Sequence, residues 1–168
     1  MFRRILPFTL LAAISMGGCA TQQGAAKRVT ANSRVPDGTL CTVKTTAYTS
    51  SEPGGAHSAC GTRLCDTNEK GRIKSAASDW SRYPLGTRFK ILTTGEVYEI
   101  CDYGSALVHK NTIDLYKGSR RDMRKWGARI VVIKILHWGS PERSRQVLAP
   151  RTRYPHVRMM LADLRLQS

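Results

Sequence analysis

Residues 128–138 read ARIVVIKILHW, and this stretch decides the fold class. β-Branched side chains dominate it and apolar residues partly alternate with others, the pattern of a strand with one face in a core. Residues 41–49 (CTVKTTAYT) also alternate and are rich in Thr and Val. Shorter runs of the same kind fall at 73–78, 87–92, 97–101 and 112–116, and Thr94-Gly95 between two of them predicts a hairpin turn. Residues 50–59 carry Pro53, Gly54 and Gly55 and read as a loop. One helix is punctuated among the strands: Ser119 with Asp122 three residues later sets an N-terminal cap, and Gly127 sets the stop. Several short strands with one or two short helices predict a compact, mainly β barrel over residues 39–140.

Upstream of the barrel the chain changes character. Arg3 and Arg4 precede an apolar run from Ile5 to Met16, too short for a relaxed membrane span and typical of a signal peptide. The run ends in Met16-Gly17-Gly18-Cys19. Small residues before a cysteine resemble a bacterial lipobox, which implies a signal peptide over 1–18 and lipid on Cys19. An ordinary secretory signal with an incidental cysteine is the other reading. Residues 19–38 are small and polar and read as a tether. Lipid chains would make anchoring effectively permanent. The absence of Asp after Cys19 points to the outer membrane, with the domain facing the periplasm, by the sorting rule of didermal bacteria.

Four cysteines remain after Cys19: Cys41, Cys60, Cys65 and Cys101. An even number in an exported small domain predicts at least one disulfide, with the pairing open; buried free thiols are the alternative. They show no paired CxxC spacing, so no metal site and no other cofactor is expected. The chain of 168 residues has a formal net charge of +15. Nucleic acid is the usual partner of such a chain, but export excludes it. Anionic wall polymers or lipid head groups are one reading of the charge, and a merely solvated basic surface is the other. Residues 141–168 form a basic C-terminal extension broken by Pro141, Pro150 and Pro155. Val157, Leu161 and Leu164 have helical spacing, so this segment reads either as a short amphipathic helix or as a mobile tail.

Acidic residues are scarce, and three of them sit at strand ends or inside apolar stretches: Asp79, Asp102 and Asp114. Asp114 lies between Ile113 and Leu115 in an expected strand. An acid there faces outward or sits in a desolvated cleft, where it stays protonated for use as a general acid. The four histidines are scattered and no G-x-S-x-G elbow is present, which argues against a Ser-His-Asp hydrolase.

Read in order, Thr46-Ala47-Tyr48, Ala77-Ser78-Asp79, Tyr83-Pro84-Leu85-Gly86-Thr87, Asp102-Tyr103-Gly104-Ser105-Ala106 and Ile113-Asp114-Leu115-Tyr116 resemble the three-aspartate (3D) domain. Asp79, Asp102 and Asp114 match its defining acids. That domain also occurs in membrane-bound lytic transglycosylase A and is similar in fold to rare lipoprotein A and expansins. The resemblance implies a six-stranded double-psi β-barrel. It implies cleavage of the β-1,4 bond between N-acetylmuramic acid and N-acetylglucosamine in peptidoglycan, leaving a 1,6-anhydro end. Asp114 would then be the general acid and base. Asp102 would orient it and, as a close like charge, raise its pKa, while Asp79 would hold the barrel end or bind sugar hydroxyls. Thr46, Tyr48, Tyr103 and Gly104 would bind the glycan. The sequence departs from the family pattern in Cys101 before Asp102, in Tyr-Gly after it, and in the insert holding Cys60 and Cys65. A non-catalytic wall-binding or expansin-like module is the alternative function.

Overall fold

In the computed structural model, residues 36–52 and 55–167 are described; the expected signal peptide, Cys19 and most of the tether lie outside the described residues. The chain runs β1 (Leu40–Tyr48), β2 (Lys74–Ala77), β3 (Arg88–Ile91), β4 (Val97–Asp102), β5 (Thr112–Tyr116), α1 (Arg120–Trp126), β6 (Arg129–His137), α2 (Pro141–Leu148) and α3 (Pro155–Leu166). The strands close into one barrel in the order β1-β5-β2-β4-β3-β6. β1 pairs in parallel with β5 and β2 in parallel with β4, while the remaining neighbours are antiparallel. The mainly β, six-stranded barrel expected from the sequence is the fold observed. Among the described residues, no helix is long and apolar enough to cross a membrane.

The strand pattern explains the core. Along β6, Val131, Ile133 and Ile135 are buried while Ile130, Val132, Lys134 and Leu136 are exposed, the two-residue period of a strand with one face inside. Phe89 and Ile91 of β3, Tyr98 and Ile100 of β4, and Ile113 and Leu115 of β5 fill the same interior. Between β3 and β4 the chain turns through Gly95 at φ +74°, a conformation that costs glycine little. Helix α1 begins and ends where its caps dictate: the Ser119 side chain accepts from the Asp122 N–H, and Gly127 takes φ 64°.

Residues 141–167 differ from a mobile tail. They form α2 and α3, making three α-helices where one or two were expected. Leu148, Val157, Met160, Leu161 and Leu164 join the core cluster, each burial contributing about 1.5–3 kcal/mol. Proline does not break these helices because Pro141 and Pro155 stand at their first positions, where a missing N–H has no helical partner to lose. The segment is also pinned by polar contacts. The Ser144 hydroxyl accepts from the Leu85 N–H at 2.9 Å. Gly139 crosses the 84–87 turn so closely that a Cβ there would meet the Pro84 carbonyl oxygen at 2.3 Å.

The cysteines correct the expectation of a disulfide: Cys41, Cys60, Cys65 and Cys101 are all free. Each lies in its own setting. Cys41 packs against the core, the Cys65 thiol donates to the Thr67 carbonyl, and Cys101 faces the Ala76 carbonyl from β4. Cys60 is exposed in the loop between β1 and β2.

Candidate active site

Strand register brings together residues far apart in sequence. The parallel pairing of β1 with β5 sets Thr46 beside Asp114 and Tyr48 beside Tyr116. On the other side of β5, Asp114 stands opposite Ala77 of β2, and Ala77 in turn stands beside Asp102 of β4. Asp114 and Asp102 therefore flank β2, with the small Ala77 between them. Asp114 alternates with the core residues Ile113 and Leu115, so its carboxyl lies on the outer wall of the barrel, while Asp102 reaches its place beside Ala77 through a register shift between β2 and β4 that skips Cys101.

The two carboxyls are held differently. The Thr46 hydroxyl donates to Asp114 Oδ1 at 2.7 Å. Burial pushes the Asp114 carboxyl above the ordinary carboxylate range; the Thr46 bond opposes this and the charge of Glu52 adds to it. Asp102 Oδ1 accepts from the Tyr103 N–H at 2.9 Å and the Ala59 N–H at 3.0 Å. It too is raised by burial, against the pull of those two N–H groups and of the Arg151 guanidinium. Burial is the larger cause of the rise at Asp114, and the charge of Glu52 is the lesser one. At Asp102 the backbone donors and Arg151 oppose the rise that burial causes without cancelling it.

Tyr48 sits between these groups. Its hydroxyl is buried and has no hydrogen-bond partner. Burial, followed by the negative charges of Asp102, Cys101 and Asp114, drives its pKa upward, so it remains a neutral donor. A buried hydroxyl without a partner carries a desolvation cost, and a polar ligand arriving at this face would relieve it.

The third aspartate has another task. Asp79 Oδ1 accepts from the N–H and the hydroxyl of Ser81, and Oδ2 accepts from the His109 N–H at 2.7 Å. These bonds tie the 78–83 turn to the loop before β5. The same turn anchors Asp102 by its main chain, because the Ser78 N–H and the Trp80 indole N–H both donate to the Asp102 carbonyl. Asp79 thus braces this turn, and both of its carboxylate oxygens are engaged by these bonds. The Tyr103 ring meets Trp80 edge-on at 5.0 Å and has His156 at 5.9 Å, so much of it is engaged by the protein. Gly104 opens a short 3-10 turn with extended backbone, and a Cβ there would make ordinary contact with Leu107.

Two residues at this face carried no sequence signal. Glu52 lies in the loop after β1. Arg151 lies after α2, donates to the Ala59 carbonyl at 2.7 Å, and stands 5.9 Å from the Tyr103 ring centre. It clamps the loop that supplies the Ala59 N–H to Asp102. Only folding of the C-terminal segment onto the barrel brings it there. Among the described residues no group of three or more His, Cys, Asp or Glu side chains is placed to hold a metal ion.

No protein-family model matches the chain. It is similar to the putative cell wall shaping protein YabE of Bacillus subtilis (strain 168), with 35% identity over 116 residues, covering 68% of this chain and 27% of that protein. It is also similar to the cell wall-binding protein YocH of the same organism, with 33% identity over 96 residues, covering 57% of this chain and 32% of the relative. The chain thus spans about a third or less of the length of these curated relatives.

Proposed function

We propose that this protein acts outside the cytoplasm on peptidoglycan, as a lytic transglycosylase of the 3D type with Asp114 as its acid and base. The observation that carries the reading is the Asp114 carboxyl itself: desolvated, raised in pKa, fixed by Thr46 and exposed to an outer face with an unpartnered tyrosine hydroxyl nearby. The names of the two relatives and the ordered motifs of the 3D resemblance support the substrate.

The chemistry needs only one such acid. Two-carboxylate glycosidases protonate the leaving oxygen with one group and use the other as nucleophile or base. A lytic transglycosylase uses the C6 hydroxyl of the muramic acid residue as nucleophile, an intramolecular attack whose entropy cost is largely met in advance. Protonated Asp114 gives its proton to the glycosidic oxygen as the C1–O bond breaks. The resulting carboxylate takes the proton of the C6 hydroxyl as the new O6–C1 bond closes. Tyr48 donates to a sugar oxygen, Thr46 keeps Asp114 in place, Asp102 orders the loop beside it, and Tyr103 and Gly104 border the glycan. Cys19 carries the lipid that holds the domain at the periplasmic side of the outer membrane.

A wall-binding module that breaks no bond is the second reading. The double backbone hydrogen bonding of Asp102 favours it, since that carboxylate already has a purely structural use. Digestion of purified peptidoglycan, read by mass spectrometry for anhydro-muropeptides, separates the two. Product with the wild-type chain and none with Asp114→Asn supports the enzyme. Equal product from both would overturn the role of Asp114. Wall pull-down without product from either would establish the binding module.

A further inference from the structure

In the barrel order, β6 lies three strands from β2 in either direction, so its outer surface faces away from the carboxyl pair. That surface is apolar and basic. Ile130, Val132 and Leu136 point outward from β6, with Ile130 74% exposed. The register sets Leu40 of β1 beside Lys134, and Lys44 beside Ile130. On the far side Lys90 of β3 stands beside Lys134, and the Leu92 N–H bonds the Val132 carbonyl. Every one of these residues is exposed and none is acidic.

The chain enters the barrel at the edge of this surface. The Gly38 N–H donates to the Ile135 carbonyl, and the Trp138 N–H donates to Asp37. Pro36, the first described residue, stands close to this edge in sequence, and the apolar run 5–16 and Cys19 precede it in the chain.

We propose that the outer face of β6, flanked by Leu40 and Lys44 of β1 on one side and Lys90 and Leu92 on the other, docks on an anionic lipid bilayer. Aliphatic side chains on such a face enter the head-group boundary, and lysine stems lie along it with their ammonium groups at the phosphates. The apolar and lysine residues just named include no carboxylate, Glu99 beside β3 is paired with Arg88, and Asp37 stands only at the edge, so repulsion from an anionic surface is limited. Exposed apolar side chains gathered on one face mark a contact surface rather than scattered exposure. Docking in this way turns β2, with Asp114 and Asp102 beside it, away from the bilayer. The inference rests on the face alone and holds whether or not Asp114 cleaves glycan.

The test uses the full chain carrying Cys19→Ser, so that no lipid is attached, and vesicles of phosphatidylethanolamine with phosphatidylglycerol against vesicles of phosphatidylcholine alone. Flotation is expected with the anionic vesicles and much less with the neutral ones. Each lysine near such a surface contributes about a factor of five to binding at low salt. Lys44→Glu, Lys90→Glu and Lys134→Glu together are then expected to weaken binding by about a hundredfold. Ile130→Ser with Val132→Ser and Leu136→Ser is expected to weaken it without removing the salt dependence. A control triple outside β6 and its two neighbouring strands, Arg121→Glu and Arg124→Glu in α1 with Arg158→Glu in α3, is expected to change it far less. Equal loss from the control would overturn the proposal in favour of net charge alone. So would full binding by both face variants. A dimer in sedimentation that the Ile130→Ser variant abolishes would assign the face to a second copy of the chain and overturn it likewise.

Discussion

Two clusters of ionisable groups lie in this barrel, and they are built on opposite plans. At one barrel end Lys117 is buried, donates to the Tyr98 hydroxyl at 2.8 Å and lies over the Trp126 ring at 4.9 Å. Glu96 faces it at 3.9 Å and binds Lys74 at 2.5 Å, while Lys74 also reaches Asp66 at 3.4 Å. Burial alone would raise the Glu96 carboxyl, but the Lys74 hydrogen bond and the charges of Lys117 and Lys74 hold it below its ordinary value. On the outer wall, Asp114 has a threonine and no cation, and burial wins. Paired charges hold Glu96 below its ordinary value; a carboxyl without a cation partner is raised by burial, which favours its use as an acid.

The largest expected effect breaks the comparison on the side of activity. Asp114→Asn keeps the acceptor for Thr46 but cannot give up a carboxylic proton. Glycan cleavage is expected to fall by roughly 10²–10⁴, with circular dichroism and wall binding retained.

Asp79→Ala is expected to do the reverse. It strands the Ser81 N–H in a buried turn and the His109 N–H in the loop before β5, at a cost of about 3 kcal/mol, read as a shift in the urea midpoint. A loss of cleavage that exceeds the loss of folded protein would show that Asp79 touches substrate instead.

Glu96→Ala tests the compensated cluster. It leaves Lys117 and Lys74 facing each other without their shared anion, and partial exposure of Glu96 limits the cost to about 2 kcal/mol. Cleavage per folded molecule should be unchanged. Acid should also act with opposite sign on the two clusters. A lowered Glu96 contributes stability above its unfolded pKa that is lost as pH falls through the folded value. A raised Asp114 costs stability as pH rises from its unfolded value through its folded one. Asp114→Asn should therefore be more stable than wild type at neutral pH and equal to it in acid. Denaturant melts across pH decide this, and an unchanged pH profile would sink the desolvated-acid account.

The smallest effect concerns Arg151. Its guanidinium lowers the Asp102 carboxyl, so Arg151→Leu should raise that pKa further. Carboxyl-carbon NMR titration of Asp102 measures it, and a downward shift would contradict the geometry.

The sequence by itself determined what local pattern and stereochemistry dictate. Alternation in 129–137 fixed which side of β6 enters the core, Ser119 and Gly127 marked the bounds of α1, and the lone acid between Ile113 and Leu115 stood out as an outward group on a buried strand. These are short-range properties, legible because a strand has period two and a helix end needs a cap. Pairing was decided only by the closed barrel, because Thr46, Ala77, Asp102 and Asp114 come from four strands and meet through register. The docking of the C-terminal helices was hidden for a related reason: Val157, Leu161 and Leu164 allowed a helix as well as a mobile tail, and nothing local says that a core awaits them. Once they dock, Arg151 comes within electrostatic reach of Asp102; the barrel itself brings Glu52 near Asp114 and gives the cysteines that looked ready to pair separate surroundings. Charge, burial and proximity between distant residues are properties of the assembled barrel, so the role of each acid follows from where the fold places it.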